Sequence, residues 1–313
     1  MHAAANGIED AQESGQGGLM GFVDCHVHLF PDAAAADPQG WAAARGEHRW
    51  ARMVAPRAGG RQVQGWAGVE RMLRDMDAAG IDRAVLQGWY WETPATCEEH
   101  NQIMAEAIAA HPDRLSAVAT FHPAGCERSL DTLRSARDAG FVGIGELCPE
   151  AQGYAHDDPI FERALDLASE WGWPVTLHVT EPAGRDYPGR VETPLMKIVE
   201  LVSAHPHVKF VLAHWGGLLP FFEMNASVAR SLANASYDTA ASPLIYGAGI
   251  TKAVAAAIGT GRILFGSDYP ILPRGVLAST FEPFLDVVRE GGLAAGEIEA
   301  ILGGNARALY RLP

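Results

Sequence analysis

Eight short apolar runs, each followed by a stretch of helical periodicity, limit this 313-residue chain to a parallel-sheet architecture. The runs cover residues 22–26, 84–87, 115–121, 142–146, 175–179, 209–214, 233–238 and 263–268. Between them, stretches such as VERMLRDMDAAG, SLDTLRSARDAG and IFERALDLASEWG place apolar residues at intervals of three and four. Several end in glycine, which closes helices in a left-handed C′ position. Eight such units favour closure into a (β/α)8 TIM barrel over an open doubly wound sheet. No GxGxxG follows the first run, so the dinucleotide-binding alternative lacks its phosphate cradle. No linker rich in Pro, Gly or Ser divides the chain. Residues 21–313 are therefore expected to form one barrel domain after a flexible extension over residues 1–20. Residues 30–68, weakly periodic and tryptophan-bearing, follow the first strand, where a barrel places an active-site loop or lid.

The hydrophobic fraction of 48% suits a substantial core. No run of about 18 apolar residues predicts a membrane span, and the polar N-terminus does not read as a signal peptide. Cys25, Cys97, Cys126 and Cys148 lack paired spacing, which points to a reducing, cytoplasmic compartment. A formal charge of −14 argues against nucleic acid as a partner. It does not argue against a small-molecule substrate, because a metal ion creates its own positive focus.

Polar residues of one kind recur where the apolar runs end. His26 and His28 stand two apart on the first run, so both side chains share a face, the barrel interior at its C-terminal mouth. Alone, the pair reads equally well as two ordinary strand-end residues. Glu146 then closes VGIGE, His178 closes VTLH, His214 closes FVLAH and Asp268 closes ILFGSD. Burying each of these groups unpaired would be costly, whereas a shared metal neutralises the carboxylates and satisfies the imidazoles together. Trp89, Tyr90 and Trp91 follow the second run and are candidate walls of a substrate pocket, with packing an equal alternative. Cys148 reads as an inert buried thiol. Arg185 is a candidate for recognising a substrate carboxylate, or a solvated loop charge. Of the remaining histidines, His111, His156, His205 and His207 read as structural, and His122 as a further pocket candidate.

The segments FVDCHVH, AAHPDRL, GIGEL, HWGG, FGSDYP and ILGGNARALY resemble the amidohydrolase superfamily from residue 22 onward. Within it they resemble the amidohydrolase-related family, whose members are aminocarboxymuconate-semialdehyde decarboxylase-like enzymes and metal-dependent hydrolases. The resemblance implies one divalent metal on His26, His28 and Asp268, most simply zinc, with manganese or iron as alternatives. It implies that Glu146 bridges to a second metal on His178 and His214. In a one-metal version His178 is a ligand and His214 is released for acid/base work. The implied chemistry is hydrolysis of an amide, lactone or other ester, with Asp268 moving the proton and His214 assisting. Decarboxylation of an aromatic or unsaturated acid is the alternative; Glu146 weighs against it, since such decarboxylases generally lack an acidic ligand after strand four. An iron or manganese redox enzyme and a non-catalytic ligand-binding barrel are minor variants. A homodimer is the assembly such barrels commonly adopt.

Overall fold

The apolar runs become strands in the computed structural model, which describes residues 21–55, 63–272 and 278–313. The expected extension over residues 1–20 lies outside the described residues. The strands are β1 (Phe22–His28), β2 (Ile81–Gln87), β3 (Leu115–Ala117), β4 (Ile144–Leu147), β5 (Pro174–Leu177), β6 (Lys209–Leu212), β7 (Ala235–Asp238) and β8 (Ile263–Leu264). β1 to β3 pair in sequence order, as do β4 to β8, and every pairing is parallel. Backbone bonds join the two sheets at both seams. At one, Ala119 N–H donates to Gly143 O and Gly145 N–H donates to Ala119 O, both at 2.9 Å. At the other, Cys25 N–H donates to Phe265 O at 2.8 Å and His28 N–H to Tyr269 O at 2.7 Å. The ring of strands is continuous, as a barrel requires.

Several apolar runs outlast their strands. β3, β5, β6 and β8 stop at residues 117, 177, 212 and 264, although apolarity continues to Phe121, Val179, Ala213 and Phe265. Those residues are fully buried, and Phe121, Val179 and Phe265 pack in the same core as the helices, so packing rather than pairing demands an apolar side chain there.

Alternation along the strands divides the core in two. On β6, Phe210 and Leu212 pack outward against helices, while Val211 points into the barrel with Val23, Val85, Val118 and Leu264. Tyr310, on helix Asn305–Tyr310, packs into that inner cluster. The helices carry the expected single buried stripe. Helix Val69–Ala79 buries Met72, Met76 and Ala79, then stops at Gly80.

Residues 30–68 are more ordered than their weak periodicity predicts. They hold three short helices, Asp32–Ala36, Pro38–Arg45 and His48–Val54; residues 56–62 lie outside the described residues. Helices this short cannot display a repeating stripe, and a few tryptophans bury them instead. Trp41 and Trp50 join Phe30, Trp91, Tyr90, Cys148 and Val191 in one apolar cluster, which spans from the first helical segment to the loops after β4 and β5. Among the described residues, no helix is long and apolar enough to cross a membrane.

Candidate metal centre

The strand ends bring all six candidate ligands, His26, His28, Glu146, His178, His214 and Asp268, to one place at the C-terminal mouth. His26 and His28 approach with their Nε2 atoms 3.2 Å apart. His178 Nδ1 and His214 Nε2 approach to 3.1 Å. Glu146, on β4, stands between these pairs and gives one oxygen to each. Oε2 lies 3.8 Å from the Nε2 atoms of both His26 and His28. Oε1 lies 2.9 Å from His178 Nδ1 and 3.4 Å from His214 Nε2. The ligand atoms of His26, His28 and Glu146 fall within 4.8 Å of one another, as do those of Glu146, His178 and His214. Asp268 Oδ1 closes the first group, 3.3 Å from His28 Nε2 and 4.0 Å from His26 Nε2. Its side chain is 14% exposed, whereas every other member is buried, so Asp268 faces the opening.

Local sequence explains how two of these residues reach their places. His214 has φ 56° and Asp268 φ 68°, a left-handed backbone uncommon outside glycine. In the HWGG segment, a Cβ on Gly217 would lie 2.6 Å from the Thr180 carbonyl oxygen, so only glycine lets the chain pass there. Gly266 does the same before Asp268, where a Cβ would lie 2.7 Å from that of His26.

The outer nitrogens of the four imidazoles show which atoms are free. His26 Nδ1 is 2.8 Å from Asp238 Oδ2, and His28 Nδ1 is 3.2 Å from Gln87 O. His178 Nε2 is 2.9 Å from Gly189 O, and His214 Nδ1 is 3.2 Å from Ala240 O. Carboxylate and carbonyl oxygens only accept, so each outer nitrogen carries the proton and donates it. In the neutral rings the inner nitrogens then bear lone pairs that face one another and Glu146. Lone pairs at 3.1–3.2 Å repel unless a cation lies among them. The donor set, imidazole and carboxylate with outer oxygens setting the tautomers, fits a divalent transition metal.

Electrostatics point the same way. Burial alone would depress the His26 pKa, but Asp238 and Glu146 overcome it and push it up to about 10. Burial likewise opposes protonation of His214, and Glu146 and Asp268 together lift it to about 9. Burial works to raise Glu146, but the charges of His178 and His26 hold it well below the usual carboxylate range. The cage demands positive charge, which either protons or metal ions can supply.

The remaining predicted site residues are spread unevenly. Trp89 lies edge-on to His28 at 5.2 Å and stacks on Tyr90 at 4.2 Å; Tyr90 lies 4.8 Å from the His178 ring. Both border the cage. Trp91 is fully buried and its Nε1–H donates to His100 Nδ1 at 2.9 Å, which places it in packing rather than on an open wall. His122 donates to Gln152 O at 3.0 Å and packs edge-on to Tyr154, away from the cage. Arg185 is exposed in the loop after β5. Cys148 is buried, and burial pushes its thiol pKa upward, in keeping with an inert thiol. Asp238 belongs to the site and escaped selection by pattern. It ends the run ASYD just as the six selected residues end theirs, so the same rule would have found it.

His100 ties this region together. Its Nε2–H donates to Leu29 O at 2.7 Å, while Nδ1 accepts from Trp91. Burial lowers its pKa from 6.5 to about 4, so the folded ring stays neutral over a range in which the unfolded chain binds a proton. Stability associated with His100 is therefore intact above the unfolded value of 6.5 and declines as pH falls toward 4. The full loss is about 3 kcal/mol. Urea denaturation across this window should show a shallower pH dependence for His100→Gln than for the parent. Equal slopes would mean that His100 is not held neutral.

The model of the family described as amidohydrolase matches residues 23–312. Among curated proteins, none matches the chain. The fold is similar to 2,6-dihydroxybenzoate decarboxylase from Rhizobium, with TM-score 0.62 and 21% identity over 93% of this chain and 99% of that one. It is similar to 5-carboxyvanillate decarboxylase from Novosphingobium aromaticivorans with bound manganese, with TM-score 0.71 and 18% identity over 93% and 97%. It is also similar to an uncharacterized TIM-barrel protein from Bordetella bronchiseptica, with TM-score 0.64 and 19% identity over 93% and 98%. At these identities the likeness speaks for the fold.

Proposed function

Since the chain belongs to the amidohydrolase family, we propose that it is a metal-dependent hydrolase cleaving an amide, lactone or other ester bond of a small molecule. The observation that carries this reading is Glu146, which offers one oxygen to each of two histidine pairs. His26, His28 and Asp268 would hold one ion, His178 and His214 a second, with Glu146 between them. Zinc suits this set, and manganese, the ion in the Novosphingobium enzyme, suits it as well. When bound, such an ion makes water acidic enough to ionise near neutral pH and polarises a carbonyl. Asp268 would take the proton, a role supported by its being the one carboxylate among the six cage residues with access to the opening. The same carboxyl then returns the proton to the leaving group. Trp89 and Tyr90 wall the cage and would shield the reacting bond from bulk solvent. Four unpaired cysteines support a reducing, cytoplasmic setting, and a homodimer is the assembly we propose by family resemblance.

A second reading is a decarboxylase of an aromatic carboxylic acid. It is favoured by the Rhizobium and Novosphingobium neighbours and by the aromatic pair beside His28 and His178. In that case one ion suffices and His214 is free to move a proton. Protein reconstituted with Zn²⁺ or Mn²⁺ should be screened against lactones, amides, esters and aromatic carboxylic acids, following hydrolysis and CO₂ release in parallel. Hydrolysis is the expected outcome. CO₂ release without hydrolysis would replace the first reading by the second, and failure to retain any metal would sink both.

A further inference from the structure

Asp238, at the end of β7, is fully buried with both carboxylate oxygens occupied. Oδ2 accepts from His26 Nδ1–H at 2.8 Å. Oδ1 accepts from the backbone N–H of His214 at 2.9 Å and that of Ala240 at 3.0 Å. The Ala240 carbonyl in turn accepts from His214 Nδ1–H at 3.2 Å. One carboxylate therefore orients a histidine of the first group directly. Through the backbone it also orients a histidine of the second.

We propose that Asp238 is the positioning residue that couples the two metal subsites, a role that rests on the two-metal reading above. Through Oδ2 it keeps the His26 proton on Nδ1, so that Nε2 meets the ion as a lone pair, and its charge makes that lone pair more basic. Through Oδ1 it clamps the His214 backbone in a left-handed conformation that few residues adopt unaided. A carboxylate is needed because all three of its bonds are accepted and none donated. Neither oxygen is left for substrate or metal, so its effect passes wholly through His26 and His214.

The two oxygens can be tested separately by Mn²⁺ titration calorimetry on the full chain, with circular dichroism to check folding. Wild-type protein should bind two ions. Asp238→Asn keeps an oxygen for the two backbone N–H groups but turns an N–H toward His26, which drives the imidazole proton onto Nε2. One ion should then weaken by about 10–100-fold while the other stays. Asp238→Ala removes the clamp as well, and both ions should weaken by about that factor. The proposal is overturned if Asp238→Asn binds both ions like wild type, or if Asp238→Ala leaves one at wild-type affinity. If Asp238→Ala does not fold, the asparagine variant alone decides. A wild-type protein that binds a single ion removes the coupling, and one that binds none removes the metal reading before any variant is made.

Discussion

Replacing Asp268 by asparagine is expected to lower kcat by about a hundred- to ten-thousand-fold on any substrate found in the screen. Asparagine matches the shape of aspartate and can still offer an oxygen to a metal, but it cannot accept a proton at neutral pH. Asp268 lies 3.3 Å from His28 Nε2 on the open side of the cage, and Glu146, the other carboxylate among the six candidate ligands, is buried between four imidazoles. Among the six cage residues no other carboxylate reaches the opening. Steady-state kinetics on metal-loaded protein, with metal content measured on the same samples, checks the assignment. Retention of kcat within tenfold, with metal still bound, would show that the proton goes elsewhere.

Glu146→Gln should change metal stoichiometry as well as rate. Its two oxygens face different histidine pairs, so an amide must turn N–H groups toward one of them and lose the charge shared by both. We expect bound metal to fall from two ions to at most one per chain, and hydrolysis to fall with it. Chelation gives the same result a thermodynamic measure. An ion present at a thousand times its Kd stabilises the fold by about 4 kcal/mol, so EDTA should lower wild-type stability by about that much per tightly held site. Glu146→Gln should lose correspondingly less. Elemental analysis and urea denaturation with and without EDTA follow the two effects. A variant that keeps two ions would remove Glu146 from the bridge and return weight to decarboxylation.

Much of this was legible in the chain because the barrel repeats one simple rule eight times. Each apolar run predicts a strand, and each polar residue at its end predicts a group at the mouth, as with His178 after VTLH and His214 after FVLAH. The rule fails where burial has another cause. Phe121 and Val179 extend their runs past the strands because they are buried in the core shared with the helices. Helices Pro38–Arg45 and His48–Val54 leave little periodicity because Trp41 and Trp50 bury them without a stripe.

By itself the sequence determined the architecture and which candidate ligands stand at the strand ends, since period and strand-end position are local properties of the chain. Only the tertiary structure decided how these side chains are grouped. That Glu146 turns one oxygen to each histidine pair, that Asp238 reaches both groups, and that Trp91 packs while Trp89 borders the cage depend on contacts between strands far apart in sequence. Such contacts are set by how the ring of strands closes, and strand spacing along the chain carries no record of it.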